Sequence, residues 1–125
     1  MSDIEREELE RRLGDADLTI VDVRSGPEYA GAIAAPCDPR PGRIAGAIHL
    51  ELSELMGLTG PEIEARLGVA PGAELAAYCH SGSRSAMAVQ ILRAAGYDAR
   101  NYVGSWHEWS RDDALPFETG PAETG

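Results

Sequence analysis

The residues best able to do chemistry lie together in the run AAYCHSGSRSAMA, from Ala76 to Ala88. Leu75-Ala76-Ala77-Tyr78 has the length and apolar character of a buried central strand. From Arg84 to Ala95, apolar residues at Ala88, Ile91, Leu92 and Ala95 mark one helix face, and Gly96 supplies a stop. Cys79 therefore stands where a strand hands over to a short polar loop that opens a helix. Backbone N–H groups in such a loop and in the first helical turn point inward at an anion. They can hold a cysteine thiolate and bring its pKa below the free value of about 8.5. Gly82 permits the sharp turn. Arg84 adds a permanent planar cation, and His80 a pH-dependent one. Most free cysteines are small buried apolar residues, but the polar run His80-Ser81-Gly82-Ser83-Arg84 argues for a reactive thiol.

The elements that must position this loop follow from the rest of the chain. Its 125 residues suffice for one domain with a core, and 43% hydrophobic with 26% charged residues is ordinary for a globular protein. The formal net charge of −10 opposes nucleic-acid binding. All eleven basic residues are arginine. No apolar run reaches membrane-spanning length and Met1-Ser2-Asp3 lacks signal-peptide character, so a cytoplasmic location with no membrane partner is expected. Two widely separated cysteines make no disulfide framework. The histidines at 49, 80 and 107 and the two cysteines lack metal-ligand spacing, so no metal and no cofactor are expected.

Ser2-Asp3-Ile4-Glu5 matches a capping box, which predicts a helix to about Leu13. Leu18 to Val23 reads as a central parallel strand, with Asp22 in a structural role beside Arg24. Pro27 to Ala30 is a short helix, and the Pro- and Gly-rich stretch from Gly31 to Gly42 a surface loop. Cys37 in that loop reads as an incidental exposed thiol, with a resolving partner for Cys79 as the sharper alternative. A short second strand lies at His49-Leu50, where His49 is read as structural. Ser53 to Met56 and Pro61 to Leu67 read as short helices, Glu74 to Tyr78 and Ala99 to Val103 as strands, and Gly104 to Trp109 as a loop turning into a helix. Trp106 and Trp109 are expected in the core and the wall of the site. Residues 1–116 then form one domain and 117–125 a flexible acidic tail. Strands alternating with helices predict an α/β fold with a mostly parallel central sheet flanked by helices, its site beyond the carboxyl ends of the strands.

The segment from Tyr78 to Ser85 resembles the active-site loop of the rhodaneses, the thiosulfate sulfurtransferases. The resemblance extends to Ile20-Val21-Asp22-Val23-Arg24-Ser25, Glu28-Tyr29, the run from Gly42 to His49, and the run from Asn101 to Trp109. These blocks keep the family's order and look most like the C-terminal, catalytic half of tandem thiosulfate sulfurtransferases. A homodimer could replace the cover that the other half provides there. The resemblance implies the rhodanese fold and a sulfur transfer through a persulfide on Cys79, with thiosulfate as donor and cyanide or a thiol as acceptor. His80, Ser81, Gly82, Ser83, Arg84 and Ser85 would bind substrate. The other class in view is a non-enzymatic persulfide carrier or rhodanese-like interaction module. Cysteine phosphatases of related fold carry arginine six positions after the nucleophile; here the arginine is five positions on, which predicts a tighter ring of amides. Mercaptopyruvate sulfurtransferases commonly have arginine where this chain has Glu28, which predicts a preference for thiosulfate.

Overall fold

A computed structural model describes residues 3–120. Four parallel strands form the central sheet in the order β3-β1-β4-β5: β1 is Leu18–Asp22, β3 Ile48–His49, β4 Glu74–Tyr78 and β5 Asp98–Asn101. This confirms the α/β reading, and β1 and β4 fall where the continuous apolar runs predicted them. Both faces of the sheet are covered. Val21, Leu75, Ala77 and Cys79 point to one side, against Leu55, Ile63, Leu67, Ala88, Val89 and Leu92. Ile20, Ala76 and Tyr78 point to the other, against Leu9, Tyr29, Trp106 and Trp109. Alternate residues thus bury on opposite faces, and the sequence shows an unbroken apolar run instead of an alternation.

Among the described residues, six short helices complete the layers. On the Cys79 side lie α3 (Leu52–Leu55), α4 (Gly60–Leu67) and α5 (Ser83–Ala94); on the other lie α1 (Arg6–Arg11), α2 (Gly26–Ala30) and α6 (Ser105–Trp109). The helices α2 and α4 begin alike. Ser25 and Thr59 each accept a hydrogen bond from a glutamate amide three residues on, and that glutamate's carboxylate accepts from the cap's own amide. This reciprocal arrangement satisfies two otherwise orphaned donors. By contrast α1 is capped at Glu5 without a side-chain bond, and the capping residue expected at Ser2 lies outside the described residues.

A second, antiparallel sheet was not visible in the sequence pattern. β2 (Arg43–Ile44) pairs with β6 (Phe117–Glu118). The flexible tail expected from Phe117 is corrected at its start, since Phe117 and Glu118 are strand residues and the Gly120 amide donates to the Ala30 carbonyl. Residues 121–125 lie outside the described residues. No described helix is long and apolar enough to cross a membrane.

Candidate active site

Strand β4 and helix α5 place Cys79 as the loop pattern predicted. The residue is 1% exposed, on the floor of the loop. Its Sγ accepts hydrogen bonds from the amides of Gly82 at 3.1 Å and Ser85 at 3.4 Å, and lies 3.4 Å from the Ser85 hydroxyl. Burial pushes the thiol pKa up. The Ser85 hydroxyl and the amides of Ser85, Gly82 and Ser81 outweigh it, so the thiol lies below its ordinary range. Gly82 is needed for two reasons. Its φ is +98°, and a Cβ there would stand 2.9 Å from the Val103 carbonyl oxygen.

Further residues that the sequence left out support the loop from behind. Asn101, at the end of β5, donates through Nδ2 to the Gly82 carbonyl at 3.2 Å, and its Oδ1 accepts from the Ser85 hydroxyl at 2.7 Å. Ser105 accepts from the Cys79 amide at 3.1 Å and donates to the Tyr102 carbonyl at 2.8 Å. The Trp106 and His107 amides, at the start of α6, donate to the carbonyls of Cys79 and His80. The β5–α6 junction therefore fixes the loop's backbone through side chain and main chain together. Asn101 and Ser105 fall within the block from Asn101 to Trp109, but nothing local to them signals a contact with a loop some twenty residues earlier.

The remaining loop residues separate into different roles. Arg84 is half-buried and its guanidinium grips Glu28 with two hydrogen bonds, of 2.9 and 3.1 Å. Burial raises the Glu28 pKa, but Arg84 and the Ser25 cap lower it further, leaving it at about 2. The bonds and charge of Glu28, with a smaller contribution from Cys79, hold the Arg84 pKa above its ordinary value against the effect of burial. Glu28 is thus not a lone negative charge. It is held against the cation expected to bind substrate. Ser81 and Ser83 are exposed at the loop's rim. The His80 ring lies 3.1 Å from the Asp38 carboxylate, which orients it toward the Pro-rich loop.

Beneath the loop, Asp22 and Arg24 take the structural role expected of them. Arg24 donates to both Asp22 oxygens and to the Gly42 carbonyl, the Tyr78 hydroxyl donates to Asp22 at 2.7 Å, and the Ile44 amide donates to Tyr78. The Arg24 guanidinium sits over the rings of Tyr78 and Trp106. Burial and the neighbouring Asp22 charge hold the Tyr78 hydroxyl well above its ordinary pKa, so it stays a donor. Trp106 and Trp109 are core residues as expected.

The sequence matches the Rhodanese-like domain family over residues 5–112. The chain belongs to that family. It is 33% identical over 122 residues to a thiosulfate sulfurtransferase of Pseudomonas aeruginosa, covering 90% of this chain and 44% of the relative. It is 35% identical over 122 residues to a probable 3-mercaptopyruvate sulfurtransferase of the same organism, covering 90% and 43%. Among solved structures, a probable thiosulfate sulfurtransferase superposes with a TM-score of 0.79 at 41% identity, over 93% of this chain and 47% of that one. The chain spans less than half the length of these relatives, in keeping with one half of a tandem enzyme. The rhodanese resemblance and the rhodanese fold are thereby confirmed.

Spacing along the chain concealed one juxtaposition. The cysteines and histidines are far apart in sequence, but folding brings Cys37, Asp38, His80 and His107 together, each offering one ligand atom within 4.8 Å of the others.

Proposed function

We propose that this rhodanese domain is a sulfurtransferase that takes the sulfane sulfur of thiosulfate onto Cys79 and passes it to cyanide or a thiol. The observation that carries the reading is the sulfur of Cys79 held among the amides of Gly82 and Ser85 and the Ser85 hydroxyl. In the first step the Cys79 thiolate attacks the outer sulfur of thiosulfate. A bond forms between Sγ and that sulfur, the bond to the central sulfur breaks, and its electron pair leaves with sulfite. The product is an anionic Cys79 persulfide. In the second step the acceptor attacks the terminal sulfur, and the electron pair of the broken bond returns to Cys79 as thiolate. Each step begins and ends with negative charge on sulfur, so the inward amides of Ser81, Gly82 and Ser85 are useful throughout. A thiol with a lowered pKa needs no separate base.

Arg84 is the group proposed to meet the sulfonate. A guanidinium has five N–H donors, and Glu28 takes two of them. The remaining donors can meet an incoming oxyanion, while Glu28 reduces the pull. The carboxylate of 3-mercaptopyruvate would meet the same partly neutralised pair, so Glu28 does not discriminate by simple repulsion. The five-residue step from Cys79 to Arg84, which closes the ring around one sulfur, disfavours phosphate esters, whereas the choice between the two sulfur donors rests on Gly82-Ser83-Arg84, which stands where mercaptopyruvate sulfurtransferases commonly have a Gly-Val-Thr type loop. Initial rates with thiosulfate, 3-mercaptopyruvate and a phosphate ester at matched concentration test the assignment. The thiosulfate rate is expected to be highest, with thiocyanate as product when cyanide accepts. A faster mercaptopyruvate rate, or phosphatase activity lost in Cys79→Ser, would overturn it. Sulfur uptake without turnover would mark a persulfide carrier.

A further inference from the structure

We propose that Cys37, Asp38, His80 and His107 form a zinc site beside the active-site loop. The four potential ligand atoms come from three segments: the Pro-rich loop between α2 and β2, the active-site loop, and α6. His80 Nε2 lies 3.1 Å from Asp38 Oδ1 and 3.8 Å from Cys37 Sγ. His107 Nδ1 lies 3.8 Å from Asp38 Oδ1, and Cys37 Sγ 3.9 Å from it. Zinc binds nitrogen and oxygen at about 2.0–2.2 Å and thiolate at about 2.3 Å in a tetrahedron, which sets ligand–ligand edges of roughly 3.3–3.6 Å. The four ligand atoms lie within 4.8 Å of one another, so closing on one ion requires the widest pairs to draw together by about 1 Å. One thiolate, one carboxylate and two imidazoles are a donor set suited to zinc in softness and in charge.

The surroundings favour an occupant. The Asp38 side chain is 1% exposed, and a buried carboxylate requires compensation. Arg111 is the nearest permanent cation, at 3.5 Å from Asp38 Oδ1, but its hydrogen bonds go to the carbonyls of His107 and Cys37. It therefore braces the backbones of two of the ligand residues and meets the carboxylate through charge alone, without a hydrogen bond. The thiolate and carboxylate neutralise a dication, and Arg111 leaves the cluster with one positive charge. On binding, the Cys37 thiol gives up its proton to solvent and the zinc–sulfur bond replaces it. The sharing of His80, which directly follows Cys79, means that the ion would fasten the Pro-rich loop to the nucleophile's own loop without taking the nucleophile. The site is independent of which sulfur donor the enzyme uses.

Cobalt serves as a visible probe for zinc. The reduced 125-residue chain carrying Cys79→Ser is titrated with Co²⁺, so that Cys37 is the thiolate present. We expect one equivalent to bind, with tetrahedral d–d bands and a near-ultraviolet thiolate-to-cobalt charge-transfer band that zinc abolishes. Adding Cys37→Ser removes the charge-transfer band. His107→Ala lowers zinc affinity by about 100-fold or more, beyond the loss of a mere outer-shell partner. Zinc raises the melting temperature of the otherwise unsubstituted protein and of Cys79→Ser, but not of Cys37→Ser. Cys37 is exposed, so its serine variant is expected to fold. Failure to bind one metal ion, or a charge-transfer band that survives Cys37→Ser, would reduce the cluster to a carboxylate held by His80, His107 and Arg111 and overturn the proposal.

Discussion

Replacing Ser85 by alanine removes one oxygen from a fully buried position and tests how the loop tunes its sulfur. The Ser85 hydroxyl has one proton and three acceptors in range: Asn101 Oδ1 at 2.7 Å, Gly82 O at 3.2 Å and Cys79 Sγ at 3.4 Å. Asn101 cannot turn its amide to relieve this competition, because Nδ2 already donates to the Gly82 carbonyl. The proton therefore rests mainly on Asn101 while Cys79 is a thiol, and shifts toward the sulfur as the thiolate forms. A hydrogen bond to a charged group is worth about 1.5–3 kcal/mol. With the proton shared, the lower end applies, so Ser85→Ala should raise the Cys79 pKa by about one unit. The same change leaves Asn101 Oδ1 without its donor and should cost roughly 1–3 kcal/mol of stability. A pH titration of thiolate ultraviolet absorbance, in a Cys37→Ser background so that Cys79 is the only reporter, reads the first effect. A urea melt reads the second. An unchanged Cys79 pKa with the expected loss of stability would refute the reasoning, because the hydroxyl would then belong to Asn101 alone.

Three other outcomes follow from the same geometry. Arg84→Ala should lower thiosulfate kcat/KM by about tenfold, the low end for a lost charge-assisted contact because Glu28 already offsets part of the charge, whereas Glu28→Gln should raise it; equal kinetics in both variants would show that this pair does not face the substrate. The Glu28–Arg84 pair should contribute to stability above the ordinary carboxyl pKa of 4.5 and lose that contribution as the pH falls toward about 2, since the folded-state pKa is depressed. Arg84 is 38% exposed, so the effect is held to about 1 kcal/mol or less, and acid melts of wild type and Glu28→Gln should converge near pH 2. Asp22→Asn should destabilise the fold by about 3–5 kcal/mol in chemical denaturation, because it leaves the buried Arg24 guanidinium without its counter-ion, and a loss below about 1 kcal/mol would contradict that account.

The parts of this molecule that could be read from the chain are those that depend on neighbours in sequence. Tyr78, Cys79, Gly82 and the apolar face of α5 are contiguous, so strand, loop and helix announce themselves, as does the pairing of Asp22 with Arg24. The partners that finish the site come from far along the chain. Asn101 meets Ser85 across sixteen residues, Ser105 meets Cys79 across twenty-six, and Glu28 meets Arg84 across fifty-six. A single polar residue at the end of a short strand carries no periodicity to announce such a contact. The β2–β6 sheet was hidden for a related reason, since two residues per strand are too few for an alternating pattern. His80 and Cys37 show the same limit from the other side: spacing along the chain separated them, and the folded loop puts Sγ 3.8 Å from the ring.

The central claim is that Cys79 receives and releases one sulfur atom, and intact-protein mass spectrometry tests it most directly. The chain is incubated with thiosulfate, freed of excess donor, measured, and then measured again after cyanide. The account predicts a gain of one sulfur mass, located on the peptide bearing Cys79, that persists in Cys37→Ser, is absent in Cys79→Ser, and disappears with cyanide as thiocyanate is released. A mass gain that survives Cys79→Ser, or no gain in the wild-type protein, would contradict it.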